Sequence, residues 1–199
     1  MKKIFAPMLF ASASLQACDA GTGTLPTGQT AFFDSLFTLC GQAFEGQMVS
    51  DDEVDIGSDW DVRRVVMHVR DCEENVIRIP LHVADDHSRT WIITRNSNGL
   101  RLKHDHRHED GSEDAVTQYG GDTVTDGTAQ RQEFPADMYS KDLFEREGLD
   151  VSVDNVWAME MSLGDIFAYE LSRPNRFFRV EFDLENPVVL PPDAWGYEG

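Results

Sequence analysis

Basic residues are scarce in this chain. Seventeen Lys and Arg stand against 36 Asp and Glu, a formal net charge of −19. Such acidity opposes binding to nucleic acid and leaves no basic patch for anionic lipid headgroups. Long apolar runs are missing too. The stretch from Ile4 to about Ala13 is too short to cross a bilayer. No Gly-x-Ser-x-Gly elbow occurs, so the usual signature of a serine hydrolase is absent. The segment "ADDHSRTW", Ala84 to Trp91, holds Asp, His and Ser, but a catalytic triad is set by space rather than by chain order. "EDGSEDAVTQYGGDT" lacks the Asp-x-Asp-x-Asp-Gly spacing of a calcium loop and reads as a hairpin connection. Carboxylates are too many for a glycosidase pair to be picked out. There is no internal repeat. Cysteines number only three, an odd count that leaves one unpaired in an oxidising compartment.

What is present begins with an address. Lys2 and Lys3 form a positive start, the short apolar run follows, and small residues lead into "LQAC", Leu15 to Cys18. This resembles the lipobox of bacterial lipoproteins, with an aliphatic residue three before the cysteine and a small one just before it. Gln16 is bulkier than the family's usual residue at its place. The resemblance implies a signal peptide over residues 1–17, cleavage before Cys18, and lipidation of the Cys18 thiol. Palmitate-type acyl chains would then tie the protein to the bacterial cell envelope, facing the periplasm or the cell surface. The alternative is an ordinary cleaved signal peptide with an incidental cysteine. In some Gram-negative lineages an Asp after the lipidated cysteine, here Asp19, favours inner-membrane retention. Residues 18–30 are small, polar and Gly/Pro-bearing, and read as a tether. If Cys18 carries lipid, Cys40 and Cys72 remain to pair. That disulfide would close a loop of about 33 residues, worth roughly 3–4 kcal/mol. Two buried free thiols are the alternative.

Residues 31–199 are enough for one domain with a true core. A short apolar helical pattern runs from about Ala31 to Leu39 and stops at Gly41. Beyond it the signal is mostly strand: about ten short alternating segments, from "QAFEGQMVS" to "RFFRVEFDL", separated by turn chemistry such as "NSNG", "EDGSED" and "RPN". "KDLFEREGLDVS" adds a helical turn, and the Pro-rich tail "ENPVVLPPDAWGYEG" is expected to wrap the surface. Short strands with close breaks imply a single antiparallel meander, closed as a barrel or packed as a sandwich. A leading helix and ten-strand meander is similar to the calycin-type barrels, such as lipocalins and fatty-acid-binding proteins. The Gly-x-Trp that opens the first lipocalin strand is replaced here by Gly41 and Phe44, so no binding residue carries over. Blocks such as "SRTW", "LKHDHRHEDG", "FPAD" and "FRVEFDL" are similar to those of an uncharacterised family of bacterial secreted proteins, which implies no activity. Trp91, Trp157, Phe178 and Phe182 are candidate core residues.

One stretch concentrates the chemistry. "LRLKHDHRHEDG" sets His104, His106 and His108 on alternate residues. Side chains alternate faces along a strand. Leu100 and Leu102 mark the even face as the inner one, so all three histidines are expected to point inward, with Arg101, Lys103, Asp105 and Arg107 in solvent. Neighbouring His-x-His imidazoles can share a zinc or copper ion, but His104 and His108 lie about 13 Å apart along a regular strand. A second strand must supply the third ligand. His82 and His68 are the candidates, although alternation turns both outward. The reading is a non-enzymatic envelope protein with a binding or structural role. Its partners are the membrane, through acyl chains, and a small ligand or envelope protein. The alternative is a metal-dependent, hydrolase-like enzyme built on His104, His106 and His108.

Overall fold

In the computed structural model the described residues are 27–199. The expected signal peptide, Cys18 and most of the tether lie outside them. Helix α1, Thr27–Phe37, begins before the apolar pattern does. The Gln29 side chain extends it, donating to Thr123 Oγ1 (2.9 Å) and to the Thr125 carbonyl (3.0 Å). Phe32, Phe33 and Leu36 then bury one face of the helix against the strands. Strand β1 is Ala43–Met48, followed by a single helical turn α2, Asp59–Val62. The segment expected as one strand through Cys72 breaks in two: β2, Val65–His68, and β3, Asp71–Glu73. Long hairpins follow in β4, Val76–Val83, β5, Asp86–Asn96, and β6, Gly99–His106. Short strands β7, Tyr119–Asp122, and β8, Arg131–Pro135, precede α3, Met138–Arg146. Helix α3 is longer than the single turn expected, because Asp137 caps it by accepting from the Ser140 amide (2.9 Å). A 3₁₀ turn at Asp150–Asp154 leads into β9, Val156–Ser162, β10, Ile166–Arg173, and β11, Arg176–Val188.

The strands form one antiparallel sheet in the order β7-β6-β5-β4-β2-β1-β11-β10-β9-β8, with β3 pairing on β4. The sheet curls into a nearly closed ten-strand barrel, so the sandwich alternative falls. The two ends meet where the Asp137 amide donates to the Gly120 carbonyl (2.9 Å) and the Gly120 amide donates to Ser140 Oγ (2.7 Å). Glycines permit this seam. A Cβ at Gly121 would stand 1.8 Å from the Pro135 carbonyl oxygen. At Gly120, where φ is +149°, a Cβ would stand 2.0 Å from the Leu102 carbonyl oxygen.

Inward alternation fills the barrel. Phe44, Trp91, Phe134, Trp157, Phe167 and Phe182 are almost fully buried. Trp91 packs on Phe167 and Phe182 with centroids 6.2 Å apart in each case, which is ordinary aromatic contact. Phe178 is inward as expected and meets the edge of Trp60 at 5.1 Å. Cys40 and Cys72 are joined, with Cα atoms 6.2 Å apart, and tie the loop after α1 to β3. Among the described residues no helix is long and apolar enough to cross a membrane.

Candidate functional site

Strand β6 carries the histidines, and its register places them. His104 sits between Trp91 of β5 and Tyr119 of β7, and His106 lies opposite Arg89. His104 points inward and is only 3% exposed. Its ring stacks on Tyr119 (4.6 Å) and leans against Trp157 (5.1 Å). Both ring nitrogens are engaged: Nδ1 with the Tyr119 carbonyl (3.1 Å) and Nε2 with the Tyr169 hydroxyl (2.8 Å). A carbonyl can only accept, so Nδ1 holds the proton and Nε2 accepts from Tyr169. His106 follows on the same face, half-buried, with Nε2 3.0 Å from the Tyr119 hydroxyl. Tyr169 in turn stacks on Trp91 at 4.4 Å.

Burial sets the charge state of this group. It drives His104 down to about 3, helped by the neighbouring His106 and opposed by the bond to the Tyr119 carbonyl. It drives His106 down to about 4, with Arg89 adding to the effect. It pushes Tyr119 up to about 12 and raises Tyr169 as well. Near neutrality all four side chains are uncharged hydrogen-bond partners. None titrates where a general acid or base would work.

The other histidines lie elsewhere. Strand β6 ends at His106. Arg107 then bridges to Glu113, and the His108 amide donates to the Ser112 carbonyl (2.9 Å), making a tight reversal. His108 therefore leaves the inner face. Its side chain is 58% exposed and 3.9 Å from Asp114. Of the outer residues of β6, Arg101 is exposed as expected, while Lys103 and Asp105 are partly buried. Lys103 is held by Asp137 at 2.6 Å, and Asp105 accepts from Arg107 (3.0 Å) and Gln118 (2.8 Å). His82 lies on the outer face of β4, as its alternation required, and cannot join His104. Among the described residues, no three His, Cys, Asp or Glu side chains form a metal-ligand set.

Sequence reasoning missed a second histidine group. The β4–β5 pairing slips between Leu81↔Arg89 and Val83↔Asp86, so His82 faces two residues, His87 and Ser88. Strict alternation from Trp91 and Arg89 would send His87 inward. The bulge turns it outward beside His82, a re-aiming typical of such irregularities. Their Nδ1 atoms are 2.8 Å apart. His87 thus bonds His82 and not Ser88, while Asp86 is occupied by the Ser88 amide and Arg89. The hydrolase arrangement in "ADDHSRTW" is not assembled. The expected C-terminal wrap is there. The Trp195 amide donates to the His87 carbonyl (3.0 Å), and the Arg70 guanidinium stacks 3.6 Å over the Tyr197 ring. Beneath the strap lies a cavity of about 230 Å³ lined by His82, His87, Val66, Leu190, Pro191 and Pro192, among others.

No protein-family model, no curated protein and no solved structure matches this chain.

Proposed function

We propose that the protein is an exported, lipid-anchored component of a bacterial envelope, with a binding or structural role exerted from its outer surface and no catalysis. The observation that carries this reading is the packed barrel centre. Bulky aromatic rings occupy the interior of β1, β5, β9, β10 and β11, where a carrier of small apolar ligands needs a hollow. In that interior His104, Tyr119 and Tyr169 are neutral, with His104 bonded to the Tyr169 hydroxyl and the Tyr119 carbonyl and the Tyr119 hydroxyl bonded to His106, while the Trp157 indole N–H is left without a partner. A rigid, closed body of this kind suits a scaffold that presents its surface to another envelope component. The anchor rests on "LQAC" and on an acidic composition that offers no electrostatic route to anionic lipid.

Two measurements test it. Palmitate labelling and membrane fractionation of the wild-type chain and Cys18→Ser should give labelled, membrane-bound wild type and unlabelled, released variant. Native mass spectrometry of the released protein should find no stoichiometric organic ligand. Unlabelled wild type would remove the anchor, and a ligand displaced by His104→Phe would replace the scaffold reading with a carrier.

A further inference from the structure

We propose that His82 and His68 form a two-imidazole seat for one zinc or copper ion on the outer face of the barrel, beneath the C-terminal strap, with His87 as the residue that orients His82. This site is separate from the inner histidines, and its residues come from three strands.

The first observation is an unpartnered atom. His82 is 3% exposed, and its Nε2 is buried with no hydrogen-bond partner. The 2.8 Å contact between the two Nδ1 atoms carries a single proton. If His87 were the donor, His82 would have its own proton on Nε2, a buried donor with no acceptor. If His82 donates from Nδ1, Nε2 is a bare lone pair, which is the less costly arrangement. His87 thus fixes the tautomer of His82 and leaves Nε2 free. That is the arrangement seen around metal-bound imidazoles, where the non-ligating nitrogen donates to a fixed acceptor.

The second observation is a second imidazole on the same face. In the β2–β4 pairing Val66 stands opposite His82. His68 is therefore its diagonal neighbour, at a Cα spacing of about 7–8 Å. Two imidazoles at that spacing reach a common ion at the ~2.0–2.1 Å bond length of zinc to histidine. His68 is also largely buried. Imidazole pairs suit zinc and copper rather than magnesium or calcium, which take oxygen.

The surroundings permit a cation. Arg70, between β2 and β3, is the positive charge that opposes a cation at both imidazoles, and Asp71 pairs with it at 2.9 Å. Asp193 of the strap and Asp71 both act on His68 as favourable negative charges, and Asp86 acts so on His82. On the far side Arg64 lines the cavity, with its guanidinium paired to Glu45 at 2.6 Å. A cavity of about 230 Å³ adjoins His82 and His87 and is large enough to hold water.

The test uses the full chain in mild detergent, stripped with a chelator and dialysed against zinc or copper alone. Wild type should take up one ion per chain at neutral pH. His82→Ala and His68→Ala should each weaken uptake at least tenfold, and His108→Ala should leave it unchanged. His87→Ala should weaken it about 10–100-fold, the usual range for an outer-shell partner. His87→Gln, whose amide oxygen can accept from His82 Nδ1–H, should restore much of that loss. The imidazole ¹⁵N spectrum of metal-free wild type needs no substitution. It should show His82 protonated on Nδ1 and bare on Nε2, with the Nε2 resonance moving when zinc is added. A proton on Nε2, no ion taken up, or uptake indifferent to His82 and His68 overturns the proposal.

Discussion

Replacing His104 by Phe tests the inner polar group most directly. The ring is kept, so the packing against Tyr119 and Trp157 is largely retained, and two hydrogen bonds are lost. Tyr169 Oη and the Tyr119 carbonyl are then buried without their partner. Each orphan costs about 1–3 kcal/mol, partly offset by the more apolar ring, so the variant should lose about 3 kcal/mol at pH 7. Tyr169→Phe alone strands His104 Nε2 and should cost about 1–2 kcal/mol. The double variant removes both ends of that bond and should cost about 2 kcal/mol, a coupling of roughly 2 kcal/mol below additivity. Acid adds an independent check. His104 is held neutral in the fold, down to about 3, whereas an unfolded imidazole protonates near 6.5. The stability tied to its neutrality is complete above pH 6.5 and is lost as pH falls from there toward 3. Each pH unit in that window is worth about 1.4 kcal/mol, so wild type should lose about 2 kcal/mol through His104 alone between pH 6.5 and 5. His104→Phe lacks this loss, and its deficit should shrink from about 3 kcal/mol at pH 7 to about 1 kcal/mol at pH 5. Urea unfolding followed by tryptophan fluorescence reads both effects, since Trp91 stacks on Tyr169 and Trp157 lies beside His104. A coupling under about 0.5 kcal/mol, or a deficit that does not change with pH, would refute the reasoning.

Four further outcomes are expected. Reducing the Cys40–Cys72 bridge, which spans 32 positions, should lower stability by about 3–4 kcal/mol, visible as a lower urea midpoint with reductant. Glu170 lies buried on the outer face of β10 between Arg131 (2.6 Å) and Arg179; Glu170→Ala removes the buried member of this network while Arg131 keeps Glu133 and Glu160 and Arg179 keeps Glu160 and Glu181, and it should cost about 1–2 kcal/mol, more than Glu170→Gln, in thermal melts. Gly121→Ala should part the β7–β8 seam. Hydrogen exchange at the Asp137 amide should then accelerate, while exchange across β10–β11 stays as in wild type. His106 and His82 are both driven down to about 4, so the wild type as a whole should weaken steeply from pH 6.5 toward 4, and a flat stability profile over that range would contradict their burial.

Period two along the chain determined most of the architecture by itself. Alternation in β2, β4, β5, β6 and β11 named the inward residues, including Trp91, Phe178, Phe182 and His104, and placed His68 and His82 outside. It did so because one face of each strand must bury apolar surface. The odd cysteine count, taken with the lipobox resemblance at Cys18, left Cys40 and Cys72 to pair, and the two are joined. Closure was different. Barrel or sandwich depended on whether β7 could meet β8, which turns on two glycines whose missing Cβ atoms admit backbone from a distant segment. Strand ends and irregularities were also tertiary decisions. His108 left the inner face because Arg107 found Glu113 and the chain reversed, and His87 joined His82 because the β4–β5 register slipped by one residue. Neither event leaves a mark in local composition, since both depend on hydrogen bonds to partners that only the folded chain brings near. The strap is the clearest case. Its prolines announced an irregular tail, but only the assembled sheet offered the His87 carbonyl and the Arg70 guanidinium that seat Trp195 and Tyr197.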